Sequence, residues 1–144
     1  MADESNSLRV RLVTPERVLF EHAASAVELP GKSGYMEVLY GAAPLLAELG
    51  AGDVTVHGGG DGGADGLLRY NVSWGFVEVL PDRGTILATD ALKPEEIDVP
   101  RAQQQLDRGN KLWSEAGDSA EKYAEALHVI AEAEAKLASA AEKH

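Results

Sequence analysis

The side chains that most often bind metals are few and scattered in this sequence. The four histidines have no zinc-motif spacing among them, and they are His22, His57, His128 and His144. The chain has no cysteine, which excludes thiolate-bound zinc and disulfide bridges. It also lacks a Gly-x-Ser-x-Gly elbow and a Walker A loop, and its carboxylates are dispersed. The sequence therefore predicts no metal site and no catalytic residues.

A glycine-rich tract between residues 58 and 66, GGGDGGADG, suggests nucleotide or calcium binding at first sight. It contains a formal GxGxxG, formed by Gly58, Gly60 and Gly63. In a dinucleotide site this motif opens a helix, whereas a β-favouring segment follows it here. Asp61 and Asp65 would repel a pyrophosphate, and their spacing does not match a calcium loop. We expect a flexible loop between two strands.

The net charge of −11 describes an acidic protein. Binding to nucleic acid requires clustered lysines and arginines that displace counterions, and the sequence shows no such run. With 44% hydrophobic and 26% charged residues in 144 positions, the chain can bury a real core. The start, MADESNSLRV, has no signal-peptide pattern, and no long apolar run follows. We therefore expect a cytoplasmic protein that reaches a membrane only through a partner.

Two regions differ in character on either side of residue 90. From Leu8 to Asp90, short β-favouring runs alternate with Gly, Pro and Asp, which is typical of a sandwich or barrel. The first run alternates apolar and polar residues, so one of its faces is core. Around Trp74 both faces are apolar, which predicts a central strand. The predicted strands are residues 8–14, 17–23, 26–30, 53–57, 67–72, 74–80 and 84–90.

After Asp90, Ala, Glu, Gln and Lys dominate, and this composition predicts helices. Asp98 is placed to cap a first helix with Pro100 in its first turn. The Gly117-Asp118 pair ends that helix and opens a second one, with Asp118 as the predicted cap. The apolar stripes of the two helices are predicted to be Ala102, Leu106, Gly109 and Trp113 in the first, and Tyr123, Leu127, Ile130 and Leu137 in the second.

The predicted fold class is therefore α+β. An N-terminal antiparallel β-sandwich in residues 1–93 is followed by a C-terminal antiparallel hairpin of two helices in residues 94–144. The hairpin is only weakly amphipathic, so modest contact energy should hold it in place. An element that packs marginally can exchange between docked and released arrangements, which is what a regulatory switch requires.

Four segments in order carry motifs of one known family. They are the opening stretch from Leu8 to Val38, the segment Gly41-Ala42-Ala43-Pro44-Leu45-Leu46, the stretch from Ser73 to Ala91, and Ile97-Asp98-Val99-Pro100-Arg101-Ala102. The last is similar to the family's IDxxRA pattern. The chain thus resembles the F-type ATP synthase epsilon family of bacteria and chloroplasts, whose mitochondrial equivalent is called delta.

The resemblance implies a non-catalytic central-stalk subunit of a proton-translocating ATP synthase, which couples proton flow to ATP synthesis. The implied partners are the gamma subunit, the membrane rotor ring of c subunits and the alpha/beta catalytic head. The implied location is peripheral, on the cytoplasmic face of the bacterial membrane. In the family the helical hairpin regulates ATP hydrolysis by folding down or by extending into the head. The hairpin of this chain is acidic, which fits poorly with acidic loops in the head.

The same resemblance implies which residues contact gamma and the rotor ring. The candidates are Gly34, Glu37, Tyr40, Ala42, Pro44 and Leu45. The family usually has glycine where Glu37 stands, proline where Tyr40 stands and histidine where Ala42 stands. The details of this contact therefore differ in the present chain.

No cofactor is required by such a role, but several bacterial members bind ATP as a regulatory ligand through IDxxRA. The matching residues here are Ile97, Asp98, Arg101, Ala102 and the further basic residue Arg108. Arg101 and Arg108 are seven residues apart, so both point to one side of a helix and could pair with phosphates. The alternative is a helix cap with an intrahelical Asp98–Arg101 contact. The second helix supports ATP less well, because it carries lysines where ATP-binding members carry arginines.

Two other readings stay open at this stage. One is a β-sandwich adaptor of another complex, with the hairpin used for dimerisation. The other is a small carbohydrate or nucleotide enzyme, which would need convergent polar groups that the sequence does not reveal.

Overall fold

The computed structural model describes residues 7–58 and 67–142. The predicted glycine-rich loop lies almost entirely in 59–66, outside the described residues, and His144 also lies outside them. The chain divides into two compact units, Met1–Leu92 and Lys93–His144. This division falls one residue before the boundary predicted from the sequence.

Seven strands build the described part of the first unit, and they form one continuous sheet in the order β2-β1-β7-β6-β5-β3-β4. Neighbouring strands are antiparallel, except for the parallel pair β1 and β7. Together with the helices of the second unit, they confirm the predicted α+β class. The strands are β1 (Leu8–Val13), β2 (Val18–Ala24), β3 (Ala26–Gly31), β4 (Gly34–Leu39), β5 (Leu45–His57), β6 (Leu67–Leu80) and β7 (Arg83–Leu92).

Three strand predictions were wrong. Strand β4 was not predicted, and β5 begins eight residues earlier than expected, at Leu45. The segments predicted as separate strands on either side of Ser73 are the single strand β6. The prediction that this strand is central is confirmed, because β6 pairs with β5 on one side and with β7 on the other.

A local backbone irregularity explains why β6 resembled two strands. Its buried apolar residues are Tyr70 and Val72 before the irregularity, then Val77 and Val79 after it, so the apolar inward face changes phase. The change falls at Trp74 and Gly75, whose φ values are +59° and +134°. Strand β5 changes phase in the same way at Gly50. Each long strand therefore contributes one half to each layer of the sandwich, which is how a single sheet folds over its own core.

The core between the layers is made of large aliphatic side chains from most of the strands. Alternation in β1 buries Leu8, Val10 and Leu12 completely, as the sequence predicted. Other strands contribute further fully buried residues, including Leu29 of β3 and Ile86 of β7, which is the direct neighbour of Leu12 in the sheet. Burial of each such side chain stabilises the fold by about 1.5–3 kcal/mol.

Two helices form the second unit, α1 (Val99–Ser114) and α2 (Ala120–Ala141), preceded by a short 3-10 turn at Pro94–Glu96. The predicted cap of α1 is confirmed, since an Asp98 carboxylate oxygen accepts a hydrogen bond from the backbone N–H of Arg101 at 3.1 Å. The predicted cap of α2 was wrong. The hydroxyl of Ser119, not Asp118, accepts the hydrogen bond from the N–H of Lys122 at 3.2 Å. Asp118 lies instead within the turn that precedes α2, which is closed by a hydrogen bond from the N–H of Ser119 to the carbonyl oxygen of Ala116 at 3.0 Å.

The buried positions of the hairpin are mostly small residues. They include Ala102, Gly109, Ala126 and Ala133. A Cβ atom at Gly109 would lie 2.7 Å from Cγ1 of Ile130, so α2 approaches α1 closely at this point. The predicted apolar stripes were only partly right. Leu127 and Trp113 are 53% and 45% exposed, although the Trp113 ring does meet Tyr123 edge-on at 4.6 Å.

Candidate functional site

The residues predicted to contact partners lie on β4 and on the segment that leads into β5. Gly34 opens β4 with φ +140°, and Glu37 is exposed in the same strand. The connecting segment is held beside the β6–β7 turn, because the N–H of Gly41 donates to the carbonyl oxygen of Pro81 at 2.7 Å. Of the remaining candidates, Ala42 is partly buried, and those that are exposed are Tyr40, Pro44 and Leu45.

An exposed apolar patch lies on the outer face of the sheet, and we define it as Leu46, Phe76 and Leu87. Phe76 of β6 is directly paired with Leu87 of β7, while Leu46 of β5 is paired with Glu78, one row away. The three apolar side chains are 71%, 50% and 46% exposed in the order Leu46, Phe76, Leu87. The alternation of β6 places them there, because Val77 and Val79 take the core side of the same strand.

The same outer face carries an arginine cluster, which we define as Arg9, Arg11 and Arg83. The parallel register of β1 and β7 sets Arg9 beside Arg83 and Arg11 beside Thr85. Glu21 of β2 contacts both β1 arginines, with its carboxylate oxygens 3.1 Å from Nε of Arg9 and 3.8 Å from Nε of Arg11. Together with Asp82, these residues line an open depression of about 370 Å³.

Helix α1 carries the residues predicted for ATP. Ile97 and Ala102 are buried at 8% and 2% exposure, so they hold the start of the helix rather than face a ligand. Asp98 is engaged as the cap. Arg101 and Arg108 are both exposed, and they line a shallow depression of about 390 Å³ with Gln104 and Gln105.

The structure thus brings the two predicted arginines to one side of α1 and supports the cap function of Asp98. Two guanidiniums and two amide groups in one depression offer hydrogen-bond donors to an anion. ATP binding at this place stays a prediction.

Other polar groups in the described part of the chain offer little chemistry. No group of three or more His, Asp or Glu residues there could hold a metal ion. His57 lies 3.0 Å from a carboxylate oxygen of Glu28, and the His22 ring stacks on Phe20 at 5.8 Å between centroids. Both histidines thus have local partners. Among the helices of residues 7–58 and 67–142, none has the length and apolar character needed to span a membrane.

Neither the apolar patch nor the arginine cluster was predicted from the sequence. Their members come from β1, β5, β6 and β7, which are up to 78 positions apart between Arg9 and Leu87. Strand pairing alone brings them together. One sequence signal did point to the patch, because the β6 segment is apolar on both faces. A strand that covers a single core needs apolar residues on only one of its faces.

Known proteins agree with this architecture. Residues 7–94 match the family described as ATP synthase, Delta/Epsilon chain, beta-sandwich domain. A curated relative named ATP synthase epsilon chain, from Solibacter usitatus, is 38% identical over 138 residues, which is 96% of this chain and 98% of the relative. A second protein of that name, from Koribacter versatilis, is 38% identical over 114 residues, covering 78% of this chain and 76% of that one.

Among solved structures, the fold resembles a chain in the mitochondrial ATP synthase of Euglena gracilis. The TM-score is 0.71 at 24% identity, with 92% of this chain and 82% of the other covered. The resemblance inferred from the four sequence motifs is confirmed by these relatives, and their names are those of a subunit rather than of a free-standing enzyme.

Proposed function

This chain belongs to the family of ATP synthase epsilon chains, and we propose that it works as the central-stalk subunit that joins the gamma subunit to the rotor ring of c subunits. In this role it transmits rotation between proton flow and the alpha/beta catalytic head and performs no chemistry itself. It acts as a peripheral subunit on the cytoplasmic face of a bacterial membrane. The observation that carries the proposal is the exposed apolar patch on the outer face of the sheet.

The patch is better suited to contact with a stable protein partner than to exposure to water. Leu46 is 71% exposed, and the exposed pair Phe76 and Leu87 lies one row away on the same face of the sheet. Contiguous apolar groups of this kind mark interaction sites, because covering them removes apolar area from water. Phe76 is at the centre, paired to Leu87 on one side and to Glu48 on the other. We assign this face to gamma, with Phe76 as its anchor.

The segment between β4 and β5 extends the contact surface around the edge of the sandwich. Tyr40 and Leu45 are 44% and 45% exposed, and Pro44 is also exposed. With Gly34, Glu37 and Ala42 they form the proposed contact with gamma and the rotor ring. Tyr40 and Leu45 contribute amphipathic and apolar area of the kind that is enriched at the centre of interfaces.

The docking face is tested by replacing Phe76 with Asp in the full-length chain and measuring its affinity for purified gamma. We expect a loss of about 2 kcal/mol or more, which is roughly thirtyfold, because a charge then faces the apolar partner surface. The matched control is Leu127→Asp, which introduces the same charge at a residue of α2 that is 53% exposed. Wild-type affinity of the Phe76→Asp protein would rule out this face as the gamma site.

We further propose a regulatory ATP site on α1, supported by the shared depression of Arg101 and Arg108. Both arginines donate to phosphate oxygens, and Asp98 keeps the helix start in place. The test is equilibrium binding of ATP to the full-length chain and to an Arg101→Gln/Arg108→Gln variant. We expect saturable binding that is at least tenfold weaker in the variant, since each charge-assisted hydrogen bond is worth about 1.5–3 kcal/mol.

An Asp98→Ser variant is the control, because serine keeps the cap and removes the carboxylate. It should bind ATP as the wild type does. Absence of saturable binding to the wild-type chain at millimolar ATP would eliminate the site and leave Arg101 and Arg108 as solvated surface residues.

Regulation of hydrolysis by the hairpin is a separate proposal. Removal of residues 94–144 from the assembled enzyme should raise the hydrolysis rate if the hairpin inhibits. An unchanged rate would assign the hairpin no inhibitory role, an outcome for which the many carboxylates of α2 give a physical reason.

A further inference from the structure

The arginine cluster lies on the face that we assign to gamma, and it needs an explanation in a chain of net charge −11. Arg9, Arg11 and Arg83 are three of its 13 basic residues, and strand pairing places them side by side. Their side chains are 58%, 46% and 59% exposed in the same order. Three like charges at neighbouring positions of a sheet repel one another, so the free protein does not gain from this arrangement.

Only some of the carboxylates on this face contact the cluster. Glu78 is exposed on the same face, where it is paired with Thr85. Glu21 serves both Arg9 and Arg11, and Asp82 lies 3.4 Å from Nε of Arg83, so two carboxylates contact three guanidiniums. Each of these contacts uses the Nε atom of the arginine. About half of each arginine side chain stays exposed to solvent, so the guanidiniums are accessible to a further partner. The terminal Nη groups of a guanidinium form a planar fork that matches a carboxylate.

The cluster is continuous with the apolar patch. Along β7, Arg83, Thr85 and Leu87 follow one another on the outer face at two-residue steps, and Leu87 is the neighbour of Phe76. A partner surface that covers Phe76 and Leu87 therefore also reaches the depression of about 370 Å³ between the arginines. Burial beside this partner would remove water from the guanidiniums, which strengthens their attraction to a negative group.

We propose that the arginine cluster receives a carboxylate-bearing segment of gamma and thereby sets the register in which gamma docks on the sheet. This inference rests on the proposed docking face and adds to it the chemistry of the partner. The apolar patch supplies most of the affinity, and the arginines select a partner with acidic side chains next to its apolar surface. Docking shifted by one strand would leave the cluster unpaired, and leaving a buried charge unpaired is costly.

The experiment compares three full-length variants with the wild type for binding to purified gamma, at about 50 mM and about 500 mM NaCl, where screening is weak and strong respectively. The test variant is Arg9→Gln/Arg11→Gln/Arg83→Gln. The charge-matched control is Arg17→Gln/Lys111→Gln/Lys122→Gln, which removes three exposed basic residues outside the face. The third variant, Phe76→Asp, reports on the docking face itself. Thermal unfolding by circular dichroism establishes that each variant is folded.

We expect the cluster variant to bind about tenfold more weakly than the wild type at low salt, with a smaller difference at high salt, because salt screens partly buried charge pairs only in part. The control variant should match the wild type at both. If the cluster variant also matches the wild type at low salt while Phe76→Asp loses affinity, the cluster proposal is wrong and the docking face stands. If Phe76→Asp keeps full affinity for gamma, the proposed docking face is wrong, whatever the affinity of the cluster variant.

Anionic lipid is the other source of negative charge near a membrane enzyme. Wild-type and cluster variant are therefore also tested on vesicles with and without phosphatidylglycerol. Binding to anionic vesicles that is lost in the cluster variant, combined with unchanged gamma binding, would overturn the proposal and assign the arginines to lipid headgroups.

Discussion

The β-sandwich and the helical hairpin hold their parts together by different means. The sandwich buries large aliphatic side chains completely, for example Leu12 and Ile86 at 0% exposure. The hairpin buries mainly alanine and glycine, for example Gly109 against Ile130. A small residue allows close approach but removes little apolar area from water, so each hairpin contact is worth less. We therefore expect the hairpin to open at a lower cost in free energy than the sandwich.

Among the variants that test this contrast, Gly75→Ala in the sandwich should cause the largest loss of stability. A Cβ at this position would overlap the carbonyl oxygen of Leu87, and the φ of +134° disfavours any side chain. We expect at least about 4 kcal/mol of lost unfolding free energy, measured by urea denaturation. Gly84→Ala is the control, because nothing lies within 4 Å of a Cβ there. A Gly75→Ala protein as stable as the control would show that the β6 irregularity is not needed.

Truncation of the core comes second. Leu12→Ala should cost about 2–5 kcal/mol in the same urea measurement, because it removes a fully buried side chain and leaves a cavity. The equivalent truncation on the hairpin, Leu127→Ala, removes a side chain that is 53% exposed. It should change stability by less than about 0.5 kcal/mol. Similar costs for the two would contradict the contrast between the units.

A bulky residue in the close contact of the helices tests the hairpin by itself. In Gly109→Leu, α2 must move away from α1, at a cost of about 1–3 kcal/mol. Amide hydrogen exchange should speed up across α1 and α2 and stay unchanged in the sandwich strands. Asn110→Leu adds the same side chain at an exposed position of the same helix and should leave exchange unchanged. Faster exchange in β6 after Gly109→Leu would show that the units do not respond independently.

The smallest effect concerns the cap of α2. Ser119→Ala should destabilise the start of this helix by about 1 kcal/mol, because the hydroxyl that accepts from the N–H of Lys122 is lost. Asp118→Ala should cost less, since Asp118 does not make this hydrogen bond. Hydrogen exchange of the first turn of α2 separates the two. A larger effect at Asp118 would favour the capping box that the sequence suggested.

Local signals predicted the parts of the fold that depend on near neighbours. Alternation in β1 gave its core face, and Asp98 before Pro100 gave the start of α1. The phase change at Trp74 could not be predicted, because a tryptophan with φ +59° is unexpected in a strand and the pairing of β6 with β5 continues past it. Strand β4 was missed because it begins at Gly34 and has a glutamate at its centre.

The docking face could not be predicted for a different reason. Arg9, Leu46 and Phe76 are ordinary residues in their own segments, and only the order of strands in the sheet makes them neighbours on one surface. The two arginines of the predicted ATP site, in contrast, could be grouped from the sequence alone. Arg101 and Arg108 share one helix, so their common side followed from helical periodicity alone, and the structure places them around one depression.

The change of phase in β5 and β6 has a mechanical consequence. Because each of these strands runs through both layers of the sandwich, the layers are joined by unbroken polypeptide as well as by side-chain packing. A force that slides one layer over the other must therefore act on two continuous strands, at Gly50 and Gly75, as well as on the apolar contacts between the layers. A body connected in this way passes twist from one of its faces to the other with little internal slip.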